Sequence, residues 1–110
     1  MTKTLTVKTS AHSEFIDITG LVSAVVKESG LRDGMCLVFI PHTTCGVTIN
    51  ENADPDVRRD MIYELNKMVP WENGYHHIEG NSAAHIKSSM MGFSSIIPIA
   101  DRHLQLGVWQ

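Results

Sequence analysis

"MCLVFIPHTTCGVTINEN", Met35 to Asn52, is the stretch on which the reading of the fold turns. Met35 to Ile40 is an unbroken apolar run, the pattern of a strand covered on both faces. Cys45 to Asn50 alternates instead, with Val47 and Ile49 on one side and Thr48 on the other, as a half-buried strand does. The connection between them is too short for a crossover helix, so the pair is expected to run antiparallel. That connection carries His42, Thr43 and Thr44. Polar groups so placed must be hydrogen-bonded, solvated in a cleft or bound to something, because unpaired burial costs free energy.

Moving outward, Leu5 to Thr9 and Glu14 to Ile18 read as a strand hairpin. From Thr19 the period changes to that of a helix, capped by Thr19, with Leu21, Val22, Val25 and Val26 on its apolar face and Gly30 as its stop. Asp54 and Pro55 open a second helix with Val57, Met61, Leu65 and Met68 turned inward, and it ends before Pro70. The polar stretch Trp71 to Asn81 reads as a long loop. A short helix follows, with Ser82 as its N-cap and Gly92 beyond its end. Ser94 to Ala100 and His103 to Gln110 read as closing strands, with Pro98 expected at a sheet edge. Strands and helices do not alternate as βαβ units. The expectation is therefore a single compact α+β domain over residues 1–110, with a mostly antiparallel sheet and helices packed against it.

The composition is 43% apolar and 19% charged, that of an ordinary globule. No apolar run approaches the ~18 residues that cross a bilayer, and the first residues lack a secretory pattern, so the expectation is a cytoplasmic protein without a membrane partner. A net charge of −3, spread along the chain, argues against a nucleic-acid groove. Cys36 and Cys45 form no C-x-x-C pair and read as small core residues. Dinucleotide, P-loop and zincin motifs are absent.

The chemistry-bearing residues fall in three places: His42 to Thr44 with Glu51 beyond, Tyr75 to His77, and His85 with Lys87 in the last helix. Three imidazoles converging from different segments suit zinc and leave a coordination position open. The free N–H groups of the helix beginning at Ser82 suit an anion, with Lys87 near enough to assist. Each residue also has a plainer reading. Thr43 and Thr44 suit a strand by propensity, Glu51 a turn, and Lys87 a solvated helix face. His12 and His103 read as hydrogen-bonded structural residues and His76 as solvent-facing.

At these residues the sequence resembles the YjbQ-like family, sometimes described as secondary thiamine-phosphate synthases. The match lies in "PHTTCGVTINE", in "YHHIEGNSAAHIKSSMMG" and in the closing "GVWQ", and runs from about Lys3 to Gln110. The resemblance implies a YjbQ-like fold, a homotrimer, and a divalent metal, commonly zinc, held by His42, His77 and His85. It implies further polar roles for Glu51, as proton acceptor, and for Asn81. Thr43, Thr44, Ser82 and Lys87 are then the candidate contacts to a small phosphorylated substrate. The activity implied joins a pyrimidine pyrophosphate to a thiazole phosphate. A non-catalytic metal-binding trimer and a metal-dependent phosphoester hydrolase are the other readings. Val108 and Arg102 depart from the family's usual Thr and Gly, and the family pattern continues past Trp-Gln with a further strand and a charged tail.

Overall fold

The computed structural model describes residues 1–110. It is an α+β domain with three helices and one antiparallel sheet: α1 (Thr19–Ser29), β1 (Gly34–Phe39), α2 (Pro55–Met68), α3 (Ser82–Met91), β2 (Ser94–Ala100) and β3 (His103–Leu104). The sheet order is β1-β2-β3, with Cys36 opposite Ile97 and Ile99 opposite Leu104.

α1 forms although its valines are poor helix formers, because Val22 and Val26, one turn apart, are buried. Its start differs from expectation. Thr19 is the first helical residue, and its N–H donates to Asp17 Oδ1 at 2.9 Å. Gly30 ends the helix at φ 69°, a left-handed position that suits glycine. α2 starts as the sequence predicts: Asp54 accepts from the Asp56 N–H at 2.9 Å and Pro55 takes the first position. Its stripe is shallower than expected, with Val57, Met61 and Leu65 half-buried and Met68 exposed.

Several expectations about strands fail, including the closing strand over His103 to Gln110, of which only His103–Leu104 pairs. Residues 1–17 run without helix or strand assignment and make no backbone–backbone hydrogen bond, so the Leu5–Ile18 hairpin is absent. A short link instead joins the Ser10 N–H and hydroxyl to Glu14. Cys45 to Asn50 is likewise not a ladder strand. Its tie is the Val47 N–H to the Gly92 carbonyl at 2.9 Å. β1 is covered on one face only: Cys36 and Val38 face inward, while Met35, Leu37 and Phe39 are each about three-fifths exposed, as is Ile96 on β2. Eight residues are buried in all, centred on Val22, Val26, Ile97 and Ile99, so much of the apolar surface stays uncovered.

Pro98 lies in the central strand rather than at an edge, and it explains why β3 is two residues long. The Gln105 N–H donates to the Pro98 carbonyl at 2.8 Å, but proline has no N–H to return, so the ladder stops. Asp101 and Arg102 turn the chain between β2 and β3 with φ of 49° and 70°. Two successive left-handed residues make a type I′ hairpin, which strongly favours glycine or asparagine. Replacing Arg102 with Gly removes the Cβ clash of the left-handed conformation. Arg102→Gly is expected to stabilise the fold by about 1 kcal/mol, read as a higher urea midpoint at unchanged m. A lower midpoint contradicts the strain.

Candidate functional site

α3 organises the polar residues. Its N-cap is Asn81, without a side-chain cap bond, so Ser82 is the first helical residue and not the cap. Neither the Ser82 nor the Ala83 amide donates to a protein acceptor, which leaves two N–H groups free at the positive end of the helix. His85 stands one turn in. The His77 ring, on the loop before the helix, meets the His85 ring edge-to-face with centroids 5.4 Å apart. At the start of the same helix, the Asn81 side-chain oxygen is buried without a hydrogen-bond partner. The Asn81 amide nitrogen donates to Glu79 at 3.4 Å.

His42 is tied to the same helix through its neighbour. The Ser88 hydroxyl donates to the Thr43 carbonyl at 2.6 Å, and lies 3.0 Å from the His85 carbonyl, competing for the same proton. Gly46 lets this segment lie against the helix. A Cβ there would stand 2.7 Å from the Gly92 carbonyl oxygen and 2.9 Å from that of Ser88. Only a residue without a side chain fits.

The structure brings two of the three predicted imidazoles together. His42 is exposed, and no three His, Cys, Asp or Glu side chains of the chain are placed to hold a metal ion. His77 and His85 are the two predicted ligands whose rings lie near each other, with centroids 5.4 Å apart. With zinc–nitrogen bonds of about 2.0–2.1 Å, two tetrahedrally placed imidazoles have centroids about 5 Å apart. The orphaned Asn81 oxygen adds an acceptor that suits a cation or a metal-bound water, since nothing in the chain donates to it.

The remaining predicted residues lie elsewhere. Ala84, Lys87, Ser88 and Met91 form one stripe of α3, lining a cavity of about 380 Å³ with Thr44 and Glu51. Lys87 is two residues from His85, about 200° around the helix, and the cavity lining does not include His77 or His85. Inside one chain, Lys87 and Glu51 therefore do not share a site with the imidazole pair. The Lys87 ammonium donates to Ser13 Oγ at 2.9 Å and Asn66 Oδ1 at 2.6 Å, and burial pushes its pKa down.

Several contacts carried no sequence signal. His12 stacks on Trp71 with centroids 3.7 Å apart, across 59 positions of the chain that no local pattern spans. Asn52 donates to Asp17 at 3.0 Å and accepts from Arg58 at 3.1 Å, joining the first segment to α2. His103 matches its structural reading, bonding the Asp101 carbonyl, and His76 is exposed as expected.

Comparison with known proteins places this geometry in a family. A family model described as UPF0047 protein YjbQ-like matches residues 3–110. The Bacillus subtilis UPF0047 protein YugU is 49% identical over 111 residues, covering 100% of this chain and 84% of the relative. A crystal structure of an uncharacterised yjbq/upf0047-family protein from Clostridium acetobutylicum superposes with a TM-score of 0.91 at 58% identity, covering 94% of this chain and 81% of that one. A Sulfolobus solfataricus protein, described as YbjQ-like and of unknown function, gives a TM-score of 0.88 at 28% identity, covering 94% and 76%.

Two outcomes are expected. Gly46→Ala pushes the Pro41–Asn50 segment off α3 and destabilises the fold by about 1–3 kcal/mol in urea unfolding, whereas Gly20, whose Cβ position is open, tolerates alanine. Equal stabilities for the two variants contradict the close approach. Asp17 is held below the usual carboxylate range, first by the Thr19 side chain, then by the Thr19 amide and Asn52, with Arg58 adding attraction. A depressed folded pKa stabilises above the ordinary carboxyl pKa, and this is lost as pH falls through the lowered value. Asp17→Asn is therefore expected to lose less stability below about pH 4 than the wild type does, measured by unfolding at pH 6 and pH 3. Parallel losses contradict the assignment.

Proposed function

Because the chain belongs to the YjbQ-like UPF0047 family, and because His77 and His85 meet at the open end of α3, we propose that it is a metal-assisted enzyme acting on a small phosphorylated substrate. The observation that carries the reading is the imidazole pair at 5.4 Å, beside two undonated helix amides and an orphaned Asn81 oxygen. A divalent ion, zinc by ligand type, polarises a phosphate oxygen when bound there. His77 and His85 would hold it, and the Asn81 side-chain oxygen would accept from a water bound to it. Ser82 and Ala83 direct their N–H groups at the phosphate, where helix polarity favours negative charge.

His42, exposed in the single chain, would supply the third imidazole from a neighbouring copy. The bare apolar face of Met35, Leu37, Phe39 and Ile96 supports self-association, because exposed patches of this kind are usually covered by a partner. A homotrimer is the assembly proposed. In the thiamine-phosphate synthase version, the thiazole nitrogen bonds to the pyrimidine methylene carbon as the carbon–oxygen bond to pyrophosphate breaks. The pyrophosphate leaves with the electron pair, and the helix amides hold it. In a phosphoester hydrolase, water attacks phosphorus instead, the ester phosphorus–oxygen bond breaks, and the alcohol leaves with the electron pair and a proton from the water, giving inorganic phosphate.

The test combines metal binding with turnover. The wild-type protein is expected to retain about one zinc per chain after dialysis, and His77→Ala and His85→Ala to bind it at least about 100-fold more weakly. Pyrophosphate release from a pyrimidine pyrophosphate and a thiazole phosphate, or phosphate release from a phosphomonoester, is expected to fall with the metal. Undiminished turnover after chelation contradicts the metal's role. Retained zinc with no turnover on either substrate type favours a non-catalytic metal-bound assembly.

A further inference from the structure

Lys87 is 9% exposed, and its hydrogen-bond acceptors, Ser13 Oγ and Asn66 Oδ1, are both neutral. No carboxylate lies within ion-pairing distance of it. Buried ammonium groups are ordinarily paired with a carboxylate or surrender their charge. An ammonium has three donors, so one proton here has no acceptor in the chain. The other charged groups around the cavity are Glu14, Asp17, Glu51, Arg58 and His12. Glu14 is engaged by Ser10, Asp17 by Thr19 and Asn52, and Arg58 by Asn52. His12 lies flat on Trp71. Of the three carboxylates, Glu51 alone makes no side-chain hydrogen bond or ion pair.

The cavity around Lys87 has the dimensions of a small-molecule site, about 380 Å³, against roughly 300–1,000 Å³ for ligand pockets generally. Its apolar lining includes Phe15, Ile62, Leu65 and Met91. We propose that this cavity is a second binding site, separate from the imidazole pair, for a small amphipathic carboxylate. The carboxylate meets the open Lys87 proton, and the hydrocarbon body lies along the apolar lining. A monoanion suits the site better than a phosphate dianion, because Glu14, Asp17 and Glu51 also line the cavity and repel a dianion more strongly, while only a ligand with a hydrocarbon body gains from the apolar lining. The proposal does not depend on the metal reading. His85 and Lys87 leave α3 on different sides.

The experiment is an amide chemical-shift titration of the whole chain with sodium hexanoate, hexanol and inorganic phosphate. Hexanoate is expected to shift the amides of Ser13, Asn66, Lys87 and Ser88 and to bind at least about tenfold more tightly than hexanol, the increment of one charge-assisted hydrogen bond. Lys87→Arg is expected to keep that preference and Lys87→Met to abolish it. Glu51→Gln is expected to strengthen hexanoate binding, by removing the one unengaged carboxylate on the lining. The proposal is overturned by equal binding of hexanoate and hexanol to the wild type, a comparison that needs no variant to fold. Three other outcomes also overturn it: shifts confined to the exposed β1 face, phosphate binding as tightly as hexanoate, or cavity amides that shift with protein concentration alone. The last would mean that a second copy fills the space.

Discussion

One close approach governs the arrangement of this protein: the seating of the Pro41–Asn50 segment on α3. It depends on Gly46, where the helix carbonyls leave no space for a side chain, and on the Ser88 hydroxyl bonding the Thr43 carbonyl. The same helix presents His85 to His77 and turns Lys87 the other way. A ten-residue helix thus serves two polar environments, because residues two apart leave it about 200° apart. Moving the helix would disturb both environments together.

The two environments differ in what they lack. No third His, Cys, Asp or Glu side chain joins the imidazole pair, and the Asn81 oxygen at the start of the same helix has no donor. On the other side of the helix, the Lys87 ammonium lacks a carboxylate within ion-pairing distance. A single hydrogen bond is worth little net stability, but an unmet buried polar group costs considerably more. Unmet groups therefore indicate where something else belongs. The uncovered face of β1 makes the same argument in apolar terms: three large side chains on one strand face have nothing over them.

Much of the fold was legible in the sequence, for local reasons. Asp54-Pro55 starts α2 and Gly30 ends α1 as capping chemistry requires, and the α+β class followed from short strand connections. The misread positions depend on distant partners. Ser82 looks like a cap, but Asn81 holds that place. Met35 to Ile40 looks doubly covered, but cover on its second face is not supplied by the chain itself. Leu5 to Ile18 alternates like a hairpin, yet neither half has a backbone partner. Periodicity records which faces of a segment are apolar, and not whether a neighbour is present. In the site, the two histidine blocks were visible as motifs, and the His77–His85 meeting fits their spacing of eight residues. The acceptors of Lys87 lie 74 and 21 positions away, beyond the reach of any local pattern.

The most direct measurement is X-ray absorption at the zinc edge on the metal-loaded protein in solution. The account predicts a four-coordinate ion with three imidazole nitrogens and one exchangeable oxygen ligand, all at about 2.0–2.1 Å. A spectrum with no imidazole scattering, or with a closed set of four protein ligands, contradicts it.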